Sequence, residues 1–167
     1  MPLTVGRFKL IREATALPNA DELKLKHKVF AYVTRGTNLL VFDHPGHPEA
    51  GTQVPAGTRA LTEDPVVAVM REAKEETGLD GLELRRFLGE DNFPVPERGE
   101  LHRRRFYHLR CTGEAPSRWE HYEEHPSDGS TEPILFVLYW VDLRNGLPAL
   151  APGHGQMLSS LLEFLSS

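Results

Sequence analysis

A chain of 167 residues, 40% of them hydrophobic, is long enough to bury a core of its own, so residues 1–167 are expected to form one domain. A formal net charge of −5 excludes an extended basic surface for nucleic acid, whose phosphates are held by an excess of lysine and arginine. The single cysteine, Cys111, excludes an internal disulfide, and the longest apolar run, Ile134 to Val141, is far short of the roughly 20 residues that cross a bilayer.

The opening MPLTVGRFKLIREA has no apolar signal core, so a soluble, cytoplasmic protein with no membrane partner is expected. Residues 3–25 are ambiguous; an extra strand followed by a loop through Pro18-Asn19 is one reading. His27 to Thr34 (HKVFAYVT) is rich in β-formers, Gly36-Thr37-Asn38 can turn, and Leu39 to Asp43 reads as the returning strand of a hairpin. Asp43 to Thr52 is a loop by its proline and glycine content, and Gln53-Val54-Pro55 reads as a short strand.

A helix is predicted next, over Pro65 to Thr77. Asp64 can cap its first amides, Pro65 has no amide to leave unpaired, and Gly78 can take the left-handed conformation that closes it, with Leu79 folding back. Val66, Val69, Met70 and Ala73 recur at the three-and-four spacing of a buried stripe. Leu82 to Glu90 and His102 to Cys111 read as strands joined by a loop, Asn92 to Gly99, and Cys111 as a small buried side chain. Trp119 to Glu132 is a long polar loop, Ile134 to Leu143 a nearly apolar and therefore central strand, and Gln156 to Leu165 a packing helix.

The predicted helix carries the chemistry. Glu72 and Glu76 project from the flank of its stripe and Glu75 lies further round, so three carboxylates share one sector. Each i, i+4 pair of glutamates repels by roughly 0.2–0.5 kcal/mol. Arg71 can reach Glu75 one turn on, but one guanidinium cannot neutralise the set, and Lys74 stands on the exposed face. A hard cation that takes oxygen ligands, Mg²⁺ or Mn²⁺, fits the remainder. An acidic hexapeptide is more often a solvated face, yet such a face has no need of Gly57, Glu63 and Gly78 in register with it.

The segment Gly57 to Leu79 resembles the signature box of the Nudix hydrolases: Gly, five residues, Glu, seven residues, Arg-Glu, an aliphatic residue, any residue, Glu-Glu, any residue, Gly, aliphatic. Gly57, Glu63, Arg71, Glu72, Glu75, Glu76 and Gly78 fill every fixed position, with Ala73 smaller than the usual aliphatic residue and Leu79 in the last place. The Pro-Gly-Gly common upstream in the family is Pro55-Ala56-Gly57 here. The resemblance implies an α/β fold, an α/β/α sandwich with a mixed β-sheet. It implies a pyrophosphohydrolase that cleaves a nucleoside diphosphate linked to another group, with Mg²⁺ or Mn²⁺ as cofactor. Glu72 and Glu76 would be principal metal ligands, Glu75 a shared ligand or water-orienting catalytic group, Glu63 a completing ligand, and Arg71 the brace. Gly57 and Gly78 would shape the flanking loops. Homodimers are common in the family. A sanitiser of damaged nucleoside triphosphates, an RNA 5′-pyrophosphohydrolase and a non-catalytic nucleotide sensor remain alternatives on the same fold.

Outside the box, similar proteins place one further glutamate, a ligand or general base, in a late segment. Glu120, Glu123 and Glu124 are candidates, and Glu120 is preferred for its neighbours Trp119 and His121. Trp119 and Tyr122 can stack on a base or anchor the loop. Arg103 and Arg105 share one side of a predicted strand and can grip substrate phosphates, with Arg104 on the other side. The histidine pairs His44 with His47 and His121 with His125 invite zinc, but nearby prolines and the single cysteine weigh against it.

Overall fold

The computed structural model describes residues 19, 22–124 and 131–166. The strand-and-loop reading that precedes residue 19, and His125 of the second histidine pair, lie outside the described residues. Seven strands form one mixed sheet: β1 (Lys24–Arg35), β2 (Asn38–Asp43), β3 (Ala56–Thr58), β4 (Leu82–Val95), β5 (Glu100–Cys111), β6 (Arg118–Glu123) and β7 (Ile134–Asp142). Their order is β4-β5-β1-β2-β7-β6, and β3 adds to β1 beside that path. β1 and β5 run parallel over their length, from Lys24↔Glu100 to Thr34↔Arg110, and the other pairings are antiparallel.

Alternation along β1 builds two cores, because successive side chains point to opposite faces. Val29, Ala31 and Val33 pack with Ala68, Val69 and Ala73 of helix α1 (Pro65–Thr77). Phe30 and Tyr32 pack on the other face with Leu158 and Leu161 of helix α2 (Leu158–Leu165). A helix therefore covers each side of the sheet, the α/β layering that the resemblance implied. Cys111 is buried in the first core, and Lys74 is an exposed partner of Asp80.

Three expectations change. Gln53-Val54-Pro55 is not a strand: Gln53 makes one bridge to Phe42, and pairing to β1 begins at Ala56, since Pro55 has a carbonyl for Ala31 but no amide to give back. Asn92 to Val95 continues β4 rather than looping, and Pro94 is tolerated because β4 is an edge strand whose outer side needs no ladder donor. The first part of the Trp119–Glu132 loop is β6, paired residue by residue with β7 from Arg118↔Tyr139 to Glu123↔Ile134. β7 lies inside the sheet, between β2 and β6, as its nearly apolar sequence predicts.

Candidate active site

Helix α1 starts and stops where its caps dictate. The Asp64 carboxylate accepts from the Val66 and Val67 amides at 2.8 and 3.4 Å, and Gly78 closes the helix at φ 73°. Of the predicted stripe, Val69 and Ala73 are buried and Met70 packs half-buried beside them, while Val66 is exposed, and the buried face also takes in Ala68, Glu72, Glu76 and Thr77. The roll has a local cause in β3. Gly57 lacks a side chain, and a Cβ there would fall inside the Glu72 carboxyl group. One residue earlier, the Ala56 amide donates to Glu76 Oε2 at 2.9 Å. The two glutamates thus face β3 and belong to the helix's packing surface.

The third carboxylate comes from β6. Along that strand Trp119, His121 and Glu123 face α1, while Arg118, Glu120 and Tyr122 are exposed on the other side. Trp119 Nε1 donates to the Thr77 carbonyl at 2.9 Å, and a His121 ring nitrogen meets the Glu75 carbonyl at 2.8 Å, so both rings pin β6 to the end of α1. Glu123, next on the same face, joins Glu72 and Glu76 in a buried trio whose nearest oxygens lie within 4.8 Å of one another. Among the late glutamates the pleat brings Glu123 to the cluster, and leaves Glu120 and Glu124 exposed. Trp119 is half-buried against the first core, in an anchoring position, with its indole N–H occupied.

Burial and mutual repulsion make this trio unlike a solvated acidic face. Burial, then the neighbouring Glu123 charge, raises the Glu76 carboxyl well above the ordinary range against the pull of the Ala56 amide. Burial also raises Glu72, with Arg71 opposing it. Arg71 organises the rim. Its Nε and Nη2 donate to the two oxygens of Glu63 at 2.9 and 3.0 Å, and its Nη1 reaches Glu72 at 2.9 Å and Glu75 at 3.3 Å. Glu63 is accordingly held charged, its carboxyl lowered by the guanidinium, and it sits on Arg71 rather than in the trio. Glu75 is also outside the trio, half-exposed beside Arg71.

The β5 arginines pair within the sheet. Arg105 meets Glu90 at 2.8 Å, with Arg103 near the same carboxylate at 3.9 Å. Arg104, on the opposite pleat, is fully buried in a two-bond pair with Asp91, its guanidinium 4.3 Å from the Phe93 ring centre. His44 and His47 have ring centres 4.7 Å apart, and His47 pairs with Glu49. Among the described residues, it is the glutamate trio, and no histidine cluster, whose ligand atoms gather closely enough to share an ion.

A cleft of about 460 Å³ opens beside the trio, lined by Lys28, Phe30, Gly57, Glu76, Glu123 and His154 among others. Two of these escaped the sequence. Lys28 was legible in principle, since period-two alternation sets it on one face with Phe30 and Tyr32. His154 was not: it comes from an irregular strap placed by tertiary bonds, Ala151 N to Thr52 O at 2.7 Å, Tyr32 Oη to His154 O at 2.6 Å and Met157 N to Tyr32 Oη at 3.1 Å.

A buried carboxylate trio on a helix–strand seam of a mixed α/β sheet defines the class: a Nudix-type pyrophosphohydrolase, an enzyme of phosphoanhydride bonds. The chain belongs to the NUDIX domain family, whose model matches residues 24–161. Among solved structures it is similar to a MutT NUDIX hydrolase from Burkholderia pseudomallei, with TM-score 0.61 and 21% identity over 83% of this chain and 98% of that one. It is similar too to an ADP-ribose pyrophosphatase from Streptococcus suis 89-1591, with TM-score 0.57 and 21% identity over 85% and 92% of the two chains. A UDP-X diphosphatase gives TM-score 0.60 and 14% identity over 86% of this chain and 64% of that one. At these identities the likeness is one of fold. No curated protein matches the chain in sequence.

Proposed function

We propose that this protein hydrolyses a diphosphate linkage in a nucleoside diphosphate derivative, with Mg²⁺ or Mn²⁺ as cofactor. The observation that carries the reading is the trio of Glu72, Glu76 and Glu123, three buried carboxylates with an all-oxygen donor set. Three such charges together are costly without a cation, and hard divalent ions favour this donor chemistry. These three residues would hold the ion, which supplies neutralisation of phosphate oxygens and a water of lowered pKa. Contact of Glu72 with Gly57 and the hydrogen bond from the Ala56 amide to Glu76 hold these two carboxylates in place. Arg71 positions Glu72, and Glu75 is the group we assign to orienting the attacking water, with Glu63 holding Arg71 in place. In the overall reaction the water oxygen bonds to phosphorus, the bridging P–O bond breaks, and two phosphorylated products leave with release of a proton.

ADP-ribose and UDP-X, named for two of the similar structures, both contain a diphosphate joined to a nucleoside, the linkage this reading proposes. The test is a product-release assay over nucleotide sugars, dinucleotides, damaged triphosphates and capped RNA, with Mg²⁺ and Mn²⁺ compared. Glu76→Gln should lower turnover by more than the roughly 10–100-fold that loss of an outer-shell partner causes. Full activity in folded Glu76→Gln would sink the reading.

A further inference from the structure

Of the two lysine and arginine side chains that line the cleft, Lys28 and Arg98, Arg98 is matched to a carboxylate and Lys28 is not. Arg98 and His102 share Glu100, at 3.8 and 2.6 Å. Arg71 is matched to Glu63, Glu72 and Glu75, Arg103 and Arg105 to Glu90, and Arg104 to Asp91. Lys28 stands apart. Its Nζ donates to Thr58 Oγ1 at 2.6 Å, and among the described residues no carboxylate lies within ion-pair distance of it.

Position makes that vacancy meaningful. Lys28 pairs in register with Thr58, next to the Val29↔Gly57 pair, and Gly57 is the residue over which the Glu72 carboxylate lies. By the pleat the Lys28 side chain leaves β1 on the Phe30 face, opposite to Gly57, and half-buried it lines the cleft that Gly57, Glu76 and Glu123 also line. An ammonium has three donors, and the Thr58 hydroxyl uses one. A charged group taken partly out of water and hydrogen-bonded to a neutral hydroxyl, with Glu100 acting on it from beyond ion-pair distance, is destabilised, and an anionic oxygen in contact relieves it. Burial pushes the Lys28 ammonium below the usual lysine range, which is the same imbalance seen as proton affinity.

We propose that Lys28 is the phosphate-binding cation of the cleft, its Nζ holding an anionic oxygen of a diphosphate bound beside Glu72, Glu76 and Glu123. The proposal rests on the diphosphate reading above and adds the residue that selects for the anion independently of metal. It also separates the roles of the cleft's two kinds of charge: the carboxylates repel a bare diphosphate, and Lys28 attracts it.

Isothermal titration of the full-length protein with methylenediphosphonate, which resists hydrolysis, tests this in Mg²⁺ and again in EDTA. Lys28→Met should weaken binding about tenfold or more in both conditions, as loss of a charge-assisted hydrogen bond does, and Lys28→Arg should stay within about threefold of wild type. Circular dichroism melts of each variant exclude misfolding as the cause. Equal affinity of wild type and Lys28→Met, or no binding by wild type in either condition, overturns the proposal. Glu76→Gln in Mg²⁺ separates the two claims. Binding lost there but kept in Lys28→Met would retain the metal site and reject Lys28; the reverse pattern would retain Lys28 and reject the metal site.

Discussion

The absence of one methyl group at position 57 sets how deep Glu72 can sit. A Cβ there would displace the Glu72 carboxyl group, so Gly57→Ala should lower Mn²⁺ affinity and turnover together, each by roughly tenfold or more, the scale of a lost metal-supporting contact. Electron paramagnetic resonance of bound Mn²⁺ checks the first and a product-release assay the second; unchanged values in both would show that the carboxylate has room to shift. A second prediction separates two neighbouring acids. Glu123→Gln should weaken Mn²⁺ binding by roughly tenfold or more, while Glu120→Gln should leave it unchanged, because the pleat points Glu120 away from α1. The acids of the box were legible as residues because their spacing repeats a fixed signature. Which late glutamate faces them was not, since that depends on the phase of a strand whose residues, polar and aromatic by turns, carry the composition of a loop.

At the scale of elements, α1 shows how a correct boundary can coexist with a face read only in part. Asp64, Pro65 and Gly78 determine its ends through local bonds, which a sequence displays. The face that goes inward is chosen by β3, a three-residue strand whose Gly57 and Ala56 accept two glutamates where an apolar stripe would have set Val66. Propensity cannot see a partner that distant in the chain. The cap offers a control on stability: Asp64→Ala should cost about 1 kcal/mol in urea unfolding and leave turnover intact, the usual value of an N-cap far from the chemistry. A larger loss accompanied by inactivity would mean that the first turn positions Glu72. Gly78→Ala should cost more than Asp64→Ala, because it strains a φ of 73° and drives a methyl into the His121 ring that ties β6 down.

Across the whole molecule, two buried histidines tie stability to acid. His154 accepts the Val54 amide through Nδ1 at 3.2 Å and is buried as a neutral ring, its pKa pushed down to about 4 by burial first and then by Arg104. His108, in contact with Thr34 Oγ1 at 2.7 Å, is likewise pushed down to about 4 by burial and nearby arginines. Unfolding frees both rings to take a proton near pH 6.5, so the stability they contribute is complete above that value and lost as pH falls toward 4. At about 1.4 kcal/mol per pKa unit, His154 accounts for a loss on the order of 2–3 kcal/mol over that window. Urea unfolding at pH 7.0 and 4.5 should show it, and His154→Gln should shrink the difference by roughly half, His108 carrying the rest; a pH-independent midpoint in wild type would refute the assignment. Such a strap is invisible to pattern reading because no period governs it. A last consequence concerns β6, which among the described residues pairs in the sheet with β7 and is tied to α1 through Trp119 and His121. An outermost ribbon of this kind can peel while both cores stay closed, since local opening takes less free energy than global unfolding. When it does, Glu123 departs and the site is disassembled. On mild heating this protein should therefore fall silent as an enzyme before it melts.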